Sequence, residues 1–125
     1  MITYDELADK YDFLTPGTVC EIPRGWLDIT DHMASEIQEE LDKAGIDDYV
    51  VMQVKEKYGA LRWYDYGGNK QIDKIIRKYE DISEHTCCGC GRNATKMSMG
   101  WICPWCDDCA EEIGGSFREI KNDYN

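Results

Sequence analysis

Six of the seven cysteines in this 125-residue chain fall between Cys87 and Cys109, as Cys87-Cys88-Gly89-Cys90-Gly91 and Cys103-Pro104-Trp105-Cys106-Asp107-Asp108-Cys109. Cysteines this dense, in a chain expected to be intracellular, point to metal or redox chemistry rather than structural disulfides. Cys87 and Cys90 form C-x-x-C followed by Gly91, a knuckle in which glycine lets the backbone turn under a metal and aim N–H groups at the sulfurs. Cys106 and Cys109 repeat the pair after 15 intervening residues. That spacing fits a closed four-cysteine site, and four soft thiolates favour Zn2+ over harder cations in a structural rather than catalytic role. Two other ligand sets remain open on spacing alone. Cys103 with Cys106 also reads C-x-x-C, and Cys88 is a spare thiol beside Cys87. Cys106 with Cys109 is preferred because Asp107-Asp108-Cys109-Ala110-Glu111 can begin a helix whose N-terminal dipole favours thiolate. Cys20 stands apart and reads as an ordinary small apolar residue.

The remaining chemistry narrows quickly. Cys103-Pro104-Trp105-Cys106 could be a redox dithiol, but only 19 residues follow Cys106, too few for the βαβ body that chemistry needs. A zinc deaminase needs His-x-Glu, whereas His32 precedes Met33-Ala34 and His85 precedes Thr86-Cys87. No Ser-His-Asp or Cys-His pairing is legible and there is no phosphate loop, so the expectation is a protein without enzymatic activity. His85 reads as a solvated histidine at a helix end.

Charge constrains partners. The net charge is −11, which argues against direct nucleic-acid binding, since that requires a basic surface. Residues 1–48 carry 13 acids and 3 bases, and so almost the whole imbalance. Within that third, Asp28, Asp31, Glu39 and Asp42 fall on a helix face turned from its apolar stripe, and are the candidate surface for a partner with a basic groove. Lys55, Lys57, Arg62, Lys70, Lys74, Arg77 and Lys78 form a modest basic region, expected to balance the acidic third internally. The N-terminus lacks a basic-apolar leader and no apolar run approaches the roughly 20 residues that span a bilayer, so the expected location is the cytoplasm of a bacterial host cell, without membrane contact.

Periodicity gives an α+β fold: helices packed on an antiparallel β-hairpin, followed by a small zinc-ribbon-like module. Thr3 and Glu6 form a capping box, and Leu7, Tyr11 and Leu14 continue a helix that Thr15-Pro16-Gly17 stops. Residues 15–25 read as an irregular connector, closing an N-terminal segment over 1–24. A body over 25–85 begins with a helix from Trp26 to Ala44, striped by Met33, Ile37, Leu41 and Ala44, with Gly45 as its C-cap. Tyr49–Lys55 and Ala60–Tyr66 read as strands joined by a turn of about four residues, Glu56 to Gly59. Asn69 caps a third helix with core positions Ile72, Ile75, Ile76, Tyr79 and Ile82. Of the rings Trp26, Tyr58, Trp63, Tyr64 and Tyr66, core and interface packing is the expected role, with Trp63 and Leu61 on the buried side. Residues 86–125 form the four-cysteine module and its tail.

Gly25-Trp26, the block Gln53-Val54-Lys55-Glu56-Lys57-Tyr58-Gly59-Ala60-Leu61-Arg62-Trp63-Tyr64, Cys87-x-x-Cys90-Gly91, and Gly100-Trp101 leading to Cys106-Asp107-x-Cys109 together resemble a group of small bacterial, prophage and phage proteins. The resemblance spans residues 25–109, about two-thirds of the chain. It implies a mobile-element origin and a zinc module held by Cys87, Cys90, Cys106 and Cys109, and brings no activity with it. Cys88 and Cys103-Pro104-Trp105 depart from the usual pattern. The expectation is therefore an acidic, zinc-binding phage protein that inhibits or modulates a host nucleic-acid-processing protein, in the manner of an anti-CRISPR. The alternative is a zinc-ribbon nucleic-acid binder or transcriptional regulator using Lys55, Lys57, Arg62, Arg92 and Lys96.

Overall fold

A computed structural model describes residues 1–120, so the end of the expected tail, 121–125, lies outside the described residues. The architecture is α+β, with a two-stranded antiparallel hairpin among helices and a second, three-stranded sheet beside the cysteines. Among the described residues no helix is long and apolar enough to cross a membrane.

Helix α1 (Tyr4–Lys10) opens on the capping box of Thr3 and Glu6, with both reciprocal bonds formed. It ends earlier than its apolar spacing predicts. Tyr11 is extended, and its hydroxyl donates to Asp31 Oδ1 at 2.7 Å. Phe13 then stacks on Tyr11 and meets the rings of Tyr49 and Trp63 edge-on. Tertiary contacts to those partners outweigh one more helical turn. The segment 15–25 is not irregular either: Thr15 caps a short helix α2 (Pro16–Val19), and a 3-10 turn covers Arg24–Trp26. Leu7, Val19 and Ile22 are buried in the same core as Met33, Val54 and Leu61, so the N-terminal residues pack on the body.

Helix α3 (Leu27–Ala44) buries Met33, Ile37 and Leu41, while Ala44 at its end is exposed. Gly45, at φ 68°, donates to Leu41 and Asp42 carbonyls in the left-handed geometry that glycine adopts without a Cβ penalty. Strand β1 (Val50–Lys57) pairs with β2 (Ala60–Tyr66), with a bulge between Val51 and Gln53. The turn has two residues rather than four: Tyr58 and Gly59 have φ 53° and 84°, the paired left-handed conformation that matches strand twist in tight hairpins. Alternation points Leu61 and Trp63 inward and leaves Tyr64 and Tyr66 in solvent with Tyr58, contrary to the packing role expected of those tyrosines.

The open edge of β2 is closed by side chains. Leu61 N–H donates to Ser83 Oγ at 2.8 Å and Trp63 N–H to a Glu80 carboxylate oxygen at 3.2 Å, both on helix α4 (Lys70–Ser83). That substitutes for a third strand and hides the edge from other chains. Asn69 caps α4 through Ile72 N–H at 2.9 Å, and Ile72, Ile75, Ile76 and Tyr79 are buried. Ile82 is exposed, and Ser83, fully buried, takes the inward position of that last turn.

The cysteine module comprises β3 (Lys96–Ser98), β4 (Pro104–Trp105), α5 (Asp107–Ile113) and β5 (Phe117–Glu119), with β3 central and antiparallel to both neighbours. It is pressed directly against the body. Gly25 N–H donates to Cys88 O at 2.7 Å, and a Cβ on Gly25 would lie 2.0 Å from Cys87 O. The Trp26 indole N–H, fully buried, donates to Thr86 O at 2.8 Å. At the hairpin tip, a Cβ on Gly59 would meet Met97 Sδ and Ile102 Cγ2, each at 3.2 Å. We expect Gly25→Ala to cost more than about 3 kcal/mol, since neither backbone can retreat without breaking the joint. Gly17→Ala, where the space is open, should change stability by no more than about 1 kcal/mol. Thermal melts of the two variants beside the parent check this.

Candidate metal centre

Cys87 and Cys90 are placed by the knuckle between α4 and β3, which closes through Gly91 N–H to Cys87 O at 3.0 Å with Gly91 at φ 83°. No bulk is tolerated around this turn. A Cβ on Gly91 would approach Gly25 O to 2.9 Å, and one on Gly89 would meet Cys109 Sγ and Trp105 at 3.2 Å. Cys106 is the N-cap of α5 and Cys109 lies in its first turn, with Cys109 N–H pointing at Cys106 Sγ at 3.4 Å. The four sulfurs lie within 4.8 Å of one another, with Cys90 and Cys106 3.6 Å apart. A tetrahedral ion with metal–sulfur bonds of about 2.3 Å requires sulfurs roughly 3.8 Å apart. The donor set therefore fits one tetrahedral metal ion.

Electrostatics agree. Burial raises the Cys87 thiol, but N–H groups of Cys106, Cys90 and Gly89 aimed at its sulfur outweigh that and bring it down to about 7. Cys90 and Cys109 move the other way, raised first by burial and then by neighbouring sulfurs. Four sulfurs this close cannot all ionise unless a cation sits among them. The N–H groups and the α5 terminus supply the surrounding positive field.

The structure thus brings together Cys87, Cys90, Cys106 and Cys109, the set preferred on spacing. Cys88 and Cys103 lie outside it and line one cavity, with Cys88 N–H donating to Pro104 O at 2.9 Å, a proximity that their separation in sequence did not reveal. Cys20 is exposed, not packed as a small apolar residue, and its thiol donates to Gly17 O at 3.3 Å. His85 is half-buried at the end of α4 and outside the sulfur cluster.

The candidate acidic surface divides in two. Asp31 is half-buried and held by Lys10 at 3.1 Å and by Tyr11, and Asp28, though exposed, accepts Ile2 N–H at 2.9 Å. Both anchor the N-terminal segment to α3. Glu39 and Asp42 are exposed further along α3, where Asp42 accepts a bond from Gln38. Of the basic region, Lys78 reaches across to Glu36 at 2.8 Å. Sequence reading missed the supporting role of Glu56, which accepts from Gly59 N–H at 2.8 Å and from the Trp101 indole at 3.2 Å. The recurrence of glycine followed by tryptophan at Gly25-Trp26 and Gly100-Trp101 was the available signal.

No protein-family model, curated protein or solved structure matches the chain. Metal analysis of protein purified without chelator should find one ion per chain. Cys90→Ser should lose it and unfold at least residues 87–110, seen as lost amide protection, because metal ligation in such modules supplies about 10–16 kcal/mol of apparent binding energy. Cys103→Ala should keep the ion.

Proposed function

We propose that the chain is a non-enzymatic zinc-binding protein, encoded by a phage or other mobile element, that docks its acidic surface on a host nucleic-acid-processing protein and inhibits or modulates it. Zinc is the ion that best suits four thiolates in a closed tetrahedron, and its role here is structural. The observation that carries the docking role is the exposure of the acidic third. All of the thirteen acids in residues 1–48 are exposed except Asp31, Glu36 and Glu40, and those three have partners within the molecule. Of the exposed acids, Asp5, Glu6, Asp9, Asp28, Glu39 and Asp42 sit on helices fixed by a single core, so that part of the negative field has a defined shape. A protein that normally grips nucleic acid, such as a CRISPR effector, presents the complementary basic groove.

A second reading, direct nucleic-acid binding, draws on Tyr64 and Tyr66 exposed on the hairpin face that also bears Lys55 and Arg62. It is weakened because Arg92 and Lys96, two of its five bases, are paired with Asp108 and Asp107.

Affinity capture from a bacterial host lysate separates the two. The parent should retain a protein partner, and Glu39→Lys with Asp42→Lys should reduce capture roughly tenfold, the deficit shrinking as salt rises. Asp31 is left intact, since its reversal would damage the fold. Unchanged capture after reversal counts against the acidic face, and a shift of single-stranded RNA or DNA at about 50 mM salt would favour the second reading.

A further inference from the structure

Cys88 and Cys103 belong to the metal-binding module yet contribute nothing to its metal centre. We propose that they form a second thiol site, which a hydroperoxide converts to an intramolecular disulfide while the metal centre stays loaded.

Both cysteines are buried in the same core cluster. Their backbones are fixed independently of the metal ligands' side chains. Cys88 N–H donates to Pro104 O at 2.9 Å, while Cys103 exchanges bonds with Ser98 through its N–H to Oγ and its carbonyl from Ser98 N–H, each at 2.9 Å. Cys88 is thereby held against the residue that follows Cys103, so a bridge between the two would join neighbouring backbones. Access is provided by an apolar cavity of about 410 Å³ that both cysteines line. Met99 and Trp101, also lining it, are largely exposed, so the cavity opens to solvent. The pair belongs to the core and also touches a cavity large enough for a peroxide.

The chemistry balances within the pair and its oxidant. One sulfur attacks the peroxide O–O bond, giving a sulfenic acid and releasing water or the alcohol. The second sulfur attacks the sulfenic sulfur, forming the S–S bond and releasing a second molecule of water. Two thiol hydrogens and two electrons pass to the peroxide. Two sulfurs alone lack the donors for a tetrahedral ion, and the four metal-bound sulfurs have their lone pairs engaged, so the reaction is directed to the unligated pair.

The test uses the full-length metal-loaded protein carrying Cys20→Ser, which removes the exposed competing thiol and keeps a donor toward Gly17 O. Hydrogen peroxide is added stoichiometrically, and intact mass, peptide mapping and metal content are read together. The expected result is loss of about 2 Da, a single bridge mapping to Cys88 and Cys103, and an unchanged metal content. Adding Cys103→Ala should abolish the mass loss with the metal retained. An unchanged mass in the parent, or a bridge among Cys87, Cys90, Cys106 and Cys109 accompanied by metal release, overturns the proposal.

Discussion

Where Gly25 meets the Cys87–Cys88 peptide, two backbones touch with no side chain between them. The hydrogen bond from Gly25 to Cys88 O and the buried one from Trp26 to Thr86 O run side by side across that contact. Each satisfies a polar group that burial would otherwise leave at a cost of about 1–3 kcal/mol. Gly25 and Trp26 lead directly into α3, so the helix that organises the body starts on the knuckle that organises the metal centre. A metal module on a linker could fold or unfold alone. This one shares its carbonyls with the body.

The hairpin ties the same two parts together from the other side. Its left-handed Tyr58-Gly59 turn brings Gly59 against Met97 and Ile102, and Glu56 ties that turn to Trp101. The four separated motifs of the sequence thus meet in pairs, Gly25 with the Cys87 knuckle and Glu56 with the Trp101 that follows Gly100. Their spacing in the chain is irregular because their function is to meet in space, not to repeat. A carboxylate at position 56 does what a larger apolar residue could not: it satisfies a backbone donor in the turn and an indole donor on the module.

Those contacts explain what could and could not be read from residues alone. Gly45 and Asn69 were legible as caps because the geometry they satisfy is local, and the four ligands were legible because a tetrahedral ion dictates their spacing. Helix α2 was hidden because Thr15-Pro16-Gly17 stops one helix as readily as Pro16 at the first position starts another. Tyr11 and Phe13 left their helical register for Asp31, Tyr49 and Trp63, a partner 20 residues away for Tyr11 and partners 36 or more away for Phe13. Asp31 read as free surface because helical periodicity knows nothing of the N-terminal segment that binds it, and Asp28, exposed as expected, is engaged by the same segment. The pairing of Cys88 with Cys103 is likewise a product of tertiary structure, set by the bonds to Pro104 and Ser98.

The joint also bears on how so acidic a chain stays folded. Four thiolates around a dication would leave the centre at about −2, so a bound metal would add to the negative field instead of relieving it. Compensation has to be local. N–H groups of Gly89, Cys90 and Cys106 supply it at Cys87, the α5 terminus supplies it at Cys106 and Cys109, and Arg92 and Lys96 neutralise the aspartates beside the centre. Among the described residues the exposed acids of the first third form no ion pair, and their mutual repulsion works against compactness. Ligand binding that occurs only in the folded state offsets such repulsion, and it acts on whatever unfolds with the site. Because Gly25 and Trp26 start α3 on the knuckle, the stabilisation reaches the helix that carries Glu39 and Asp42. A rigid acidic surface and a metal anchored in thiolates would in that sense be one device: an ion held by Cys87, Cys90, Cys106 and Cys109 would fix a charge distribution that a metal-free chain of this length would hold only loosely.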